Sequence, residues 1–360
     1  MPQHNLPPHE HRTKLLARRG GSGCVVAGTT RGLALPSLLP PPLPLPLMSA
    51  SQILQVGPLA PQTNATLQQQ YGAIALWQQG DALAWAREHG QQVRVVVTSA
   101  RHGCSAALID ALPALQAIVS FGVGYDSIAL DAARARGIQV SNTPDVLNDC
   151  VADLAFGLLL DAARGIAHGD RFVRAGRWPQ GGFPLTTRVS GKKLGILGLG
   201  RIGEIVARRA QGFDMEIAYN NRRPRDGAPW RFEADLKALA AWSDFLVVTC
   251  VGGPETAGLV SREIIDALGP RGILINVSRG SVIDEDALVA ALAEGRLGGA
   301  GLDVFRDEPN VPAALQALDN VVLAPHMASG THETRAAMTA LTLQNLDAFL
   351  ADGKVLTPVL

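Results

Sequence analysis

The stretch Lys192–Arg223, KKLGILGLGRIGEIVARRAQGFDMEIAYNNRR, restricts this chain more than any other. Its apolar run Leu194 to Leu197 meets Gly198-Leu199-Gly200-Arg201-Ile202-Gly203, and a helical pattern and a second apolar run follow. That order predicts strand, tight turn, helix and strand, a unit that holds a dinucleotide with its pyrophosphate on the helix N-terminus. Gly198 permits the turn, Gly200 lets the backbone approach the phosphates beside the amides of Arg201 and Ile202, and Gly203 lets the helix pack on its strand. A turn without a ligand is the competing reading, and the flanking elements weigh against it.

The second strand runs out in Tyr219-Asn220-Asn221-Arg222-Arg223. An NAD site carries an acid there for the ribose 2'-hydroxyl, whereas an NADP site carries arginine for the 2'-phosphate. Asn221, Arg222 and Arg223 offer no carboxylate and two guanidiniums, so NADPH is the expected cofactor and NADH a possible one. A solvated basic turn running on to Arg225 is the plainer alternative.

The 360 residues suffice for two domains, and 32 basic residues balance 32 acidic ones, which gives no reason to expect a nucleic-acid or membrane partner. Cys24, Cys104, Cys150 and Cys250 stand singly without ligand spacing, so neither a metal site nor a disulfide framework is expected, and a reducing cytoplasm suits them. Residues 1–48 read as a disordered extension, because LPSLLPPPLPLPL at Leu35–Leu47 cannot hold a helix or a signal-peptide core. Met48 is the expected opening of the folded protein.

From Ile53 to Asn142 short apolar runs alternate with helical segments, a second α/β unit. Its Phe121-Gly122-Val123-Gly124-Tyr125-Asp126 loop can expose amides to an anion, or be a plain turn. Thr143-Pro144 predicts the start of a long helix, whose apolar stripe Val151, Leu154, Ala155, Leu158, Leu159 and Ala162 fits core packing or a second subunit. Beyond Arg223 the alternation continues, and three polar groups follow strand ends: Arg279 in NVSRG, Glu308 in DVFRDEP and His326 in PHMAS. A doubly wound sheet binds ligands at that edge. An imidazole there can protonate a carbonyl oxygen, a carboxylate can favour its charged form, and an arginine can hold a substrate carboxylate.

These motifs, with GVGYDSI, SNTPDVL, GILGLGRIG and LAPHMAS, resemble the D-isomer-specific 2-hydroxyacid dehydrogenases from about Ile53 to Pro358. The resemblance implies two Rossmann-like doubly wound domains. A flavodoxin-like substrate domain, 49–144 with 326–360, would be interrupted by an NAD(P)-binding domain, 145–325, with hinges near Thr143 and Pro325. It implies Arg279, Glu308 and His326 as the catalytic set, with Val123 and Gly124 helping Arg279 and His326 to hold the substrate. Cys250, Val251, Val277, Asp303, His326 and Ser329 would join the glycine loop around the cofactor, Asp303 near the nicotinamide carboxamide. A homodimer is expected, with the helix from Val146 to Ala163 as its interface. Within the family the NNRR ending looks like the NADPH-preferring glyoxylate, hydroxypyruvate and hydroxyphenylpyruvate reductases. Alternatives are a 2-ketogluconate or phosphoglycerate type, or a non-catalytic cofactor sensor on the same fold. The formate branch, with glutamine at the position of Glu308, does not fit; the stop at Leu360 argues against the phosphoglycerate type. Two departures from the family pattern are Val251-Gly252-Gly253-Pro254 after Cys250, and a bulky Met327.

Overall fold

Short runs rich in β-branched residues become strands buried on both faces, as parallel sheets require. The computed structural model describes residues 52–360. The expected extension 1–48, the opening at Met48 and Cys24 lie outside the described residues. The first sheet contains β1 (Ile53–Gln55), β2 (Ile74–Ala75), β3 (Val95–Ser99), β4 (Ala117–Phe121) and β5 (Gln139–Ser141) in the order β2-β1-β3-β4-β5. That is the flavodoxin-like order, and every pairing is parallel.

The second sheet contains β6 (Lys193–Leu197), β7 (Glu216–Asn220), β8 (Arg231–Phe232), β9 (Phe245–Val248), β10 (Ile273–Asn276), β11 (Gly299–Leu302) and β12 (Val321–Leu323). Its order, β12-β11-β10-β9-β6-β7-β8, is the Rossmann arrangement extended by one strand. Leu197 pairs with Val248, Val248 with Asn276, Asn276 with Leu302 and Leu302 with Leu323. Five strands therefore end level, and the residues after them share one edge.

The long helix runs Asn148–Arg164, and its start differs from the expected Thr143-Pro144. Thr143 is buried, and its hydroxyl accepts from the Gly122 N–H at 3.1 Å, so it is spent on the neighbouring strand end rather than on a helix cap. Asp145 then takes a left-handed turn, φ 69°, before the helix begins. Much of its apolar stripe is also used within the chain. Val151, Ala155, Leu158 and Leu159 join the core formed with Ile273, Ile275, Val206 and Ala207. Four of the exposed large apolar side chains, Ile166, Val173, Trp178 and Leu185, lie just beyond the long helix, in and after a helix over Ile166–Arg174 that the sequence reading did not contain.

The chain's last helix, His332–Asp352, returns to the first sheet. Leu346 and Phe349 pack with Ile53, Val95, Val97 and Val119. Asn345, fully buried, fastens the tail behind this helix: its Nδ2 donates to Leu341 O and Thr357 Oγ1, and its Oδ1 accepts from Leu356 and Thr357 N–H at 2.9 and 3.0 Å. Asn345→Ala removes the acceptor of the part-buried Leu356 and Thr357 N–H groups and is expected to lower stability by about 1–2 kcal/mol. Urea unfolding checks this, and a loss under about 0.5 kcal/mol contradicts it.

Candidate active site

The glycine loop between β6 and the helix Arg201–Gln211 is built partly by packing. Gly198 has φ 100°, and a Cβ there would lie 2.4 Å from Cys250 N; a Cβ on Gly203 would lie 2.4 Å from Gly198 O. Gly200 differs. Its φ of −93° is open to any residue, and an added Cβ would meet nothing within 4 Å. Neither backbone nor packing calls for glycine, whereas a pyrophosphate lying on the uncapped helix N-terminus does. The chain therefore fits a dinucleotide here.

Three side chains hold the loop from below. Asn221 Oδ1 accepts from Leu199 N–H at 2.7 Å, Arg225 donates to Leu199 O at 3.1 Å, and Arg225 pairs with Glu204. The amide of Asn221, expected at the cofactor, is thus occupied by the loop itself. Arg222 and Arg223 are exposed at the end of β7, with Arg222 2.8 Å from Glu255. The Arg201 guanidinium pairs with Asp145 at 3.0 Å, which leaves its backbone as the part at the loop. On the neighbouring strand ends Val277 is buried and Val251 exposed, and Cys250 O accepts from the Ser278 hydroxyl. Burial pushes the Cys250 thiol up to about 11, so it is neutral at physiological pH.

The level strand ends bring Arg279, Asp303 and His326 to this same edge. Asn276 fixes the turn after β10, its Nδ2 donating to Arg279 O at 2.9 Å and its Oδ1 accepting from Ser278 N–H at 3.0 Å. Gly280 then passes so close to Phe305 that a Cβ would fall 1.9 Å from its carbonyl carbon. That approach sets the Arg279 turn beside the Glu308 loop.

Asp303 is fully buried, and its two carboxylate oxygens accept from Met327 and Ala328 N–H at 2.7 and 3.0 Å. Burial raises its carboxyl, opposed by those two bonds. Its side chain therefore holds the backbone of the histidine loop, in which His326 adopts φ 49° and Ser329 follows half-buried. His326 Nδ1 lies 2.6 Å from Glu308 Oε2, while Glu308 Oε1 accepts from Phe305 N–H at 3.1 Å. Burial alone would raise the Glu308 carboxyl, but His326, the Phe305 N–H and the Arg279 charge together hold it below its ordinary value. An ionised Glu308 only accepts, so Nδ1 carries the hydrogen between them.

Opposite, the loop after β4 leaves the Val123 and Gly124 N–H groups without an acceptor among the described residues. The same loop carries Asp126, which sequence reasoning missed although it lies within GVGYDSI: its carboxylate grips Arg279 at 3.1–3.2 Å. Glu204, Glu255 and Asn276 were given no role there, and Arg225 only that of a solvated turn, since their partners across the fold are what reveal one. Among the described residues no cluster could hold a metal ion.

The depressed Glu308 carboxyl makes a linkage prediction. Its contribution to stability is complete above the unfolded-state value and is lost as pH falls through the lower folded value. The stability difference between the wild type and Glu308→Gln should be constant at neutral pH and shrink in acid, read by urea unfolding; a difference that persists below the carboxylate range contradicts the pairing.

Residues 156–328 match the D-isomer specific 2-hydroxyacid dehydrogenase NAD-binding domain. Hydroxyphenylpyruvate reductase of Plectranthus scutellarioides is 46% identical over 312 residues, 87% of this chain and 100% of the relative. Glyoxylate/hydroxypyruvate reductase A of Arabidopsis thaliana is 44% identical over the same shares. Among solved structures, a 2-hydroxyacid dehydrogenase from Ketogulonicigenium vulgare Y25 superposes with TM-score 0.80 at 47% identity, over 87% of this chain and 99% of that one. An NADPH-dependent glyoxylate/hydroxypyruvate reductase from Sinorhizobium meliloti, solved with NADP and malonate, gives 0.79 at 41%, over 86% and 97%. With these relatives matched over nearly their whole length, and the glycine loop, the Glu308–His326 pair and Arg279 on one edge of the second sheet, the chain belongs to the D-isomer-specific 2-hydroxyacid dehydrogenases.

Proposed function

We propose that this protein reduces a small 2-oxo acid, of the glyoxylate or hydroxypyruvate kind, to the D-2-hydroxy acid, with NADPH as preferred donor and NADH as a weaker one. The observation that carries the reading is the 2.6 Å contact of His326 with an ionised Glu308 on the strand edge that also carries Arg279 and the glycine loop. The relatives' names, which include 2-ketogluconate reductase of Gluconobacter oxydans, support the substrate class.

Arg279 binds the substrate carboxylate, helped by the Val123 and Gly124 amides, and polarises the carbonyl. His326, held through Nδ1 by Glu308, gives a proton from Nε2 to the carbonyl oxygen as the carbon becomes tetrahedral. Glu308 stabilises the charged ring before that transfer. The nicotinamide, when bound, supplies the hydride. The dinucleotide would be held by Gly198, Gly200 and Gly203 with the amides of Arg201 and Ile202, by Arg222 and Arg223 at its 2'-phosphate, and by Cys250, Val251, Val277 and Ser329 along the sheet edge. Asp303 acts through the histidine loop that it clamps.

The division into 49–144 with 326–360, and 145–325, is supported by the two sheets and by the return of the last helix to the first of them. A homodimer is supported by the exposed Ile166, Val173, Trp178 and Leu185. A cytoplasmic place is supported by the free Cys104, Cys150 and Cys250.

His326→Ala should lower kcat about 10²–10⁴-fold and leave the NADPH Kd within about twofold, measured by steady-state rates and fluorescence titration; comparable loss of cofactor binding would give His326 a structural role instead. Replacing Arg222 and Arg223 together with alanine should raise KM for NADPH about 10–100-fold while KM for NADH barely moves. Equal losses on both cofactors contradict the 2'-phosphate assignment.

A further inference from the structure

We infer that Asp126 is a positioning residue, which fixes the guanidinium of Arg279 so that one defined edge of it is left for the substrate. This rests on the reading of Arg279 as substrate anchor proposed above. Asp126 comes from the loop after β4 in the first sheet, and Arg279 from the loop after β10 in the second. Nε of Arg279 lies 3.1 and 3.2 Å from the two Asp126 oxygens, and Nη2 lies 3.1 Å from Oδ1. Nη1 donates to Ser278 O at 2.8 Å. The Nε/Nη2 edge is therefore taken by the chain's own carboxylate. Nε donates to the Asp126 carboxylate and Nη1 to Ser278 O, while Nη2 meets Asp126 Oδ1 as an ion pair, so the N–H groups of Nη1 and Nη2 that these partners do not use are left for the carboxylate and carbonyl oxygens of a 2-oxo acid.

Two glycines wall this arrangement. A Cβ on Gly124 would lie 1.5 Å from Nη2, and one on Gly252 would lie 2.4 Å from Cγ of the same arginine. The Val251-Gly252-Gly253-Pro254 departure thus has a physical use, since a side chain at Gly252 would push Arg279 off Asp126. With side chains only 24% and 21% exposed, the pair is more than a solvent-screened surface contact. Substrate does not have to displace Asp126; it meets an arginine already ordered.

Without the carboxylate, Arg279 keeps its charge and loses its fixed orientation, so each binding event must order a long side chain. The test is steady-state kinetics on Asp126→Asn, Arg279→Lys and the double variant, at saturating NADPH. Asp126→Asn should raise KM for the 2-oxo acid about tenfold, the cost of immobilising one rotamer-rich side chain, with kcat within about threefold and NADPH Kd unchanged. In the Arg279→Lys background the same change should add less than about twofold, because lysine has no edge to be set. Asp126→Ser, lacking the carboxylate and smaller, should give the same KM rise. A KM that stays or falls in both Asp126 variants overturns the inference, since removing a negative charge then only favours the anion. A tenfold rise in both backgrounds overturns it too, making Asp126 a substrate contact in its own right. Absence of turnover in the wild-type protein removes the reading of Arg279 and this inference with it, whereas an active wild type with unaffected Asp126 variants sinks the inference alone.

Discussion

The in-register parallel pairing of β6, β9, β10, β11 and β12 is the constraint on which everything else depends. Because Leu197, Val248, Asn276, Leu302 and Leu323 stand level, the residues after them emerge along a single edge. A slip of one residue in any strand would reverse its alternation and withdraw its functional group from that edge. The register is enforced by burial on both faces, since β9 and β10 have no exposed side chain to tolerate a shift.

Around that edge, each of the carboxylates has a defined protein partner. Glu308 orients His326 and is itself held by the Phe305 N–H; Asp126 orients Arg279, which Ser278 O also fixes. Asp303 spends both oxygens on the backbone that carries the histidine. The carboxylates are therefore spent on protein partners, and the imidazole Nε2, the unused Nη1 and Nη2 N–H groups of Arg279 and the Val123 and Gly124 amides are donors, which suits the 2-oxo acid proposed as substrate.

Much of this was legible because the relevant signals are local. Glycines between an apolar run and a helical pattern, and single charged residues just past apolar runs, mark strand ends without knowledge of the fold, which is why Arg279, Glu308 and His326 were found from the sequence. The partners that act across the fold were not. Asp126 and Arg279 are far apart in the chain, and nothing at either position announces the other. Thr143 reads as a helix cap until Gly122 is known to lie beside it. β2 and β8 are two residues long, too short for alternation, and the helix Ile166–Arg174 has Gly165 before it and Gly169 inside it, which weaken a helical reading.

The proposed reaction brings hydride and proton to one carbonyl group. Its most direct test is the initial rate of NADPH oxidation by the wild-type protein with glyoxylate, hydroxypyruvate, 4-hydroxyphenylpyruvate and 2-ketogluconate, with the configuration of any chiral product determined. Turnover of at least one of them, yielding the D-2-hydroxy acid, is the predicted result. Tight NADPH binding with no oxidation on all four, or an L-configured product, would contradict it.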